Sequence, residues 1–105
     1  MKVTEAMEKG LEENPDIKFA KLTWFFKEPE GRFACAIGLA LIGKFGLDSI
    51  KSLETSAAYS AFIKTFEVDP AEIWRVNDNM SFLPNQTSDE SKFKAVIERL
   101  KEKGF

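Results

Sequence analysis

The sequence predicts an α+β fold, mostly helical, with about five helices around a central apolar helix and one short β-hairpin. Three observations predict it. The run over residues 33–43 carries no charge and no side-chain amide, so water is unwelcome on every side of it. Several other stretches repeat apolar residues at helical spacing. An alternating aromatic stretch leads into Glu28-Pro29-Glu30-Gly31, a turn signal.

The first element is an amphipathic helix over residues 4–13, with Val3, Ala6, Met7 and Leu11 on one face and Glu5, Glu8, Glu12 and Glu13 on the other. Asn14 before Pro15 stops it, since the residue before a proline is pushed out of the helical region. Residues 1–16 carry two lysines and five acids, read as a solvated face, with acidic docking as the lesser alternative.

Strands over 22–27 and 32–34 form the hairpin, with Trp24 and Phe26 or Phe25 turned inward. A lone hairpin is marginal in water, so it must lie on the helix that follows. That helix is the spine at 33–43, where Ala, Leu and Cys outnumber the β-branched Ile37 and Ile42. Ala36, Ala40 and Gly43 share a stripe that lets another element approach closely. The run is too short to cross a bilayer, which takes about 20 apolar residues.

Asp48 caps a short helix through residue 53, and residues 56–66 form another that presents Ala58, Phe62 and Phe66, with Tyr59 and Ile63 beside them. Asp69-Pro70-Ala71-Glu72 is a start signal: Asp69 accepts from free amides, Pro70 has no donor to waste, and Glu72 suits the positive dipole end. This helix reaches Val76 and is broken by Asn77, Asp78 and Asn79, with a loop over 80–86. Thr87 and Glu90 form a capping box for the last helix. Phe93, Val96, Ile97 and Leu100 make its buried face, and Lys101, Lys103 and Gly104 suit its end.

The 105 residues fit a single domain. A net charge of −2 gives no general attraction to nucleic acid, and the last helix interleaves its bases with acids. A single cysteine cannot form an intramolecular disulfide and no leader opens the sequence, so a reducing, cytoplasmic setting is expected, with no membrane partner.

With no histidine and one cysteine, the commonest general base and the usual zinc and redox ligand sets are missing, and no glycine loop is built for phosphate. No cofactor is expected. Cys35 near a helix start and Arg32 has the setting of a nucleophile but no base partner; flanked by alanines, it reads as a buried packing residue. Asn77, Asp78, Asn79 and Ser81 suggest calcium, but Phe82 stands where the loop needs glycine and Ser88 where it needs glutamate. Asp69, Glu72 and Asp78 beside Arg75 could flank a pocket, although capping and solvation explain them more simply.

Cys35, Ala36, Gly38 and Ala40, then Trp74 with Asn77 and Asp78, then the capped helix start at 87–90, together resemble small uncharacterised bacterial and phage-associated proteins. The resemblance implies no activity. The expected function is a small soluble, non-enzymatic interaction or regulatory module, self-association included, using Trp74, Met80, Phe82, Leu83 and Phe105 as surface. The alternatives are a binder of a small apolar ligand in an aromatic-lined pocket, anchored by Arg32, Tyr59 or Asn77, and a carboxylate-based enzyme around Asp78.

Overall fold

The elements run α1 (Val3–Glu13), β1 (Lys18–Phe19), β2 (Phe25–Glu28), β3 (Gly31–Ala34), α2 (Ala36–Phe45), α3 (Leu47–Ile50), α4 (Thr55–Phe66), α5 (Pro70–Asn79) and α6 (Asp89–Glu102). The computed structural model describes residues 1–20, 25–28, 31–50, 52–79 and 88–105, and for residues 25–28 and 31 the backbone alone. The fold is mostly helical α+β.

Helix α2 lies at the centre, with every residue from Ala36 to Gly43 buried. It contacts β3 and helices α1, α3, α4 and α5. The expected spine over 33–43 is therefore helical only from Ala36. Phe33 and Ala34 are the end of β3, and Cys35 is the residue that precedes the helix in extended conformation. The sheet explains the later start. Ala34 pairs with Phe19 on one side and Phe25 on the other, so its backbone already has partners and the helix begins where the sheet ends.

The hairpin is present as β2 antiparallel to β3, from Phe25 opposite Ala34 to Glu28 opposite Gly31. Residues 22–24 and the turn positions 29 and 30 lie outside the described residues. A third strand, β1, joins in parallel on the other edge of β3, giving the order β1-β3-β2. The Ala20 N–H extends this pairing by donating to the Ala34 carbonyl at 2.9 Å.

Helix α1 packs on α2 along the small-residue stripe. A Cβ added at Gly43 would lie 1.7 Å from the Ala6 carbonyl oxygen, and one added at Gly10 would lie 2.5 Å from that of Leu39. Both glycines mark a place where two helix backbones touch. The Asn14 N–H closes α1 on the Gly10 carbonyl at 3.0 Å, one residue before Pro15.

Helix α3 is a single turn ending at Ile50, shorter than the expected 48–53, and Asp48 lies within its first turn. Leu53 instead closes a turn onto the Ile50 carbonyl at 3.0 Å. Helix α4 buries Ala58 and Phe62 but leaves Ile63 half exposed, and Glu67 ends it at φ 57° in the left-handed region. In α5 the Asp69 carboxylate accepts from the Ala71 N–H at 2.9 Å. The helix does not break at Asn77; it continues through Asn79. For α6 the cap is Ser88, whose Oγ accepts from the Ser91 N–H at 3.1 Å, one residue later than a start at Thr87 would place it. Thr87 lies outside the described residues. Phe93, Val96, Ile97 and Leu100 are all buried.

Candidate functional site

Three polar groups are taken up by the fold, two of them, Cys35 and Asn77, candidates from their chemistry. Cys35 is 1% exposed, and burial pushes its thiol up to about 11. A thiol held protonated at neutral pH is a poor nucleophile. Asn77 is also 1% exposed and ties three segments together. Its Oδ1 accepts from the Ala36 N–H at 2.9 Å and its Nδ2 donates to the Ala20 carbonyl at 3.1 Å. Cys35 offers α2 no side-chain cap, so the carboxamide of Asn77 supplies one from α5. Asp89 is the third: its Oδ1 accepts from the Phe19 N–H at 3.0 Å, fastening β1 to the start of α6.

Asp78 is half-buried and takes a 3.3 Å hydrogen bond from Asn77 Nδ2, while Asp69 caps its own helix. The two do not gather with Glu72 and Arg75 around one pocket. Glu72 and Arg75 instead line a recess between α5 and α6, with Asn79, Arg99, Lys103 and Phe105. Among the described residues, no three Cys, Asp or Glu side chains converge as metal ligands. No helix among them is long and apolar enough to cross a membrane.

Of the expected interaction surface, Trp74 and Phe105 are half-buried and packed against the core. Trp74 stands edge-on to Tyr59, with ring centroids 4.8 Å apart. Burial raises the Tyr59 phenol above its ordinary range. Phe105 is held by its backbone: its N–H donates to the Leu100 carbonyl at 3.0 Å, and its own carbonyl accepts from Thr4 Oγ1 at 2.7 Å. Met80, Phe82 and Leu83 lie outside the described residues.

The surface feature that sequence reading missed is a groove of about 630 Å³ between α1 and α6. Early residues of α1 meet late residues of α6, so the two helices run antiparallel along it. Leu11 (8% exposed) and Ile97 (4%) form its floor, and Pro15 stands at one end. The rim is Glu8 and Glu12 from α1, and Glu90, Lys94, Glu98 and Lys101 from α6. Both lysines are paired within it. Lys101 reaches across to Glu8 at 3.0 Å, which raises its ammonium further above the ordinary range, and Lys94 bridges Glu90 at 2.8 Å. Such exposed pairs contribute little stability. The groove was within reach of the sequence in one respect only: Leu11 and Ile97 both lie on apolar helix faces, but nothing local states that those faces meet at their edges.

The chain matches no protein-family model, no curated protein and no solved structure.

Proposed function

We propose that this protein is a non-enzymatic interaction module. The observation that carries this reading is the division of labour among its side chains. Cys35 is buried with its thiol held protonated, and Asn77 and Asp89 fasten elements together, while the described surface opens into a groove with an apolar floor and a charged rim. Grooves between helices are a common seat for a partner segment.

Binding of a small apolar ligand has less support, because none of the residues lining the α1/α6 groove is aromatic. Trp74 on α5 and Phe105 after α6 stay with the interaction reading as separate half-buried positions, and Met80, Phe82 and Leu83 follow Trp74 closely in sequence.

Site-specific photo-crosslinking in a native cell extract tests the reading. A probe at Glu12 or Trp74 is expected to give a discrete protein adduct that a probe at Ser60, on the exposed side of α4, does not give. No adduct from either position, together with saturable stabilisation by a small molecule in a thermal-shift panel, would overturn it.

A further inference from the structure

We propose that the α1/α6 groove docks a cationic amphipathic helix of a partner protein, with its apolar side chains over Leu11, Ile97 and Pro15 and its lysines or arginines toward Glu12 and Glu98. This inference rests on the interaction reading and names the partner's chemistry.

Charge is the first argument. The groove is lined by four acids and two bases, and the whole chain carries a formal net charge of −2. The rim therefore accounts for the protein's entire net charge, and the remainder of the chain balances. Each lysine is already matched to an acid, Lys101 to Glu8 and Lys94 to Glu90. The surplus sits on Glu12 and Glu98, one on each wall and both exposed. An acid on either side of an apolar floor complements an occupant with an apolar stripe flanked by bases.

Shape is the second. The walls are two antiparallel helices whose rim residues recur at helical intervals, Glu8 and Glu12 on one and Glu90, Lys94, Glu98 and Lys101 on the other. A third helix laid in that seam would present residues at i, i+3/i+4 and i+7 to the floor. The small residual exposure of Leu11 and Ile97 means that most apolar contact would come from Pro15 and from the aliphatic stems of the rim lysines and glutamates. Attraction between charges then orients the occupant and speeds its encounter, and salt should weaken binding.

The test uses a fluorescent 14-residue peptide with leucines at helical spacing flanked by lysines, a scrambled peptide of the same composition, and a version with glutamate in place of lysine. The designed peptide is expected to bind the wild-type protein. Binding should weaken at least tenfold between 50 and 300 mM NaCl and be lost in the Glu12→Lys/Glu98→Lys variant. The glutamate peptide should bind that variant instead. Amide shifts on binding should be confined to α1 and α6. Circular dichroism checks that the variant folds, as its two exposed positions lead one to expect.

Equal binding of the scrambled peptide, equal binding to the variant, or no binding at all would overturn the proposal. Self-association abolished by the same charge reversals would also overturn it, by making a second copy the occupant. A crosslinked partner at Trp74, with no peptide binding at the groove, would sink this assignment and leave the interaction reading standing.

Discussion

The carboxamide of Asn77 joins the end of β1, the start of α2 and the body of α5, and no other side chain could do so unchanged. It needs an acceptor for the Ala36 N–H and a donor for the Ala20 carbonyl. Asn77→Ala should leave both backbone groups buried without partners and lower stability by about 2–4 kcal/mol, measured by urea denaturation. Asn77→Asp keeps the acceptor and loses the donor, so it should also destabilise. The sequence held a trace of this role. Asn77 falls four residues after Ile73 and one after Val76, on the buried face of α5, which is an odd place for a solvated helix breaker. It does not break the helix because its side chain, which would otherwise compete for local backbone groups, is engaged elsewhere.

The buried thiol of Cys35 makes stability depend on pH. Burial raises the folded thiol from its ordinary value of 9.0 to about 11. Its contribution is fully present below the unfolded value and is lost as pH rises through the folded one. Stability should therefore fall by about 2 kcal/mol between pH 9 and 11. Denaturation across that range should show a steeper fall for wild type than for Cys35→Ala, the comparison being needed because Tyr59, raised in the same sense, contributes to both.

Among the elements, the crossing of α1 and α2 is the least tolerant. Gly→Ala inside a helix ordinarily gains about 1 kcal/mol. At Gly43 the added carbon would overlap the Ala6 carbonyl, so the two helices must separate or bend. Gly43→Ala should cost about 3 kcal/mol or more, and Gly10→Ala somewhat less, read from urea midpoints. Gly46→Ala is the control: there is open space around it, and only the φ of 86° is unfavourable, worth about 1 kcal/mol. The stripe of Ala36, Ala40 and Gly43 announced a close approach, but not which helix would make it. Helical periodicity also located α1, α4 and α6, each of which buries a continuous apolar face. Strand β1 was illegible for a physical reason. Two half-buried residues carry no period, and their pairing depends on β3, far along the chain.

At the scale of the whole molecule, the described apolar residues form one buried cluster around α2, with contributions from every helix and from the strand β3 that leads into it. The uncharged run foretold this centre, because a segment that cannot face water on any side must be enclosed. The groove was not foretold. It exists only where α1 and α6, far apart in sequence, are brought side by side, and its charge surplus emerges from pairings such as Lys101 with Glu8 that no local pattern encodes.

The hydrogen bond from Thr4 to Phe105 brings positions 4 and 105 within touching distance. A few glycines could therefore link Phe105 to a position just before Val3, which stays in the core, and the chain could be cut open between Leu53 and Glu54, just before α4. Such a circular permutant should reach the native arrangement and melt in one cooperative step by circular dichroism. The order in which the helices are synthesised is then incidental to this architecture, and what must be preserved is the set of neighbours that α2 acquires.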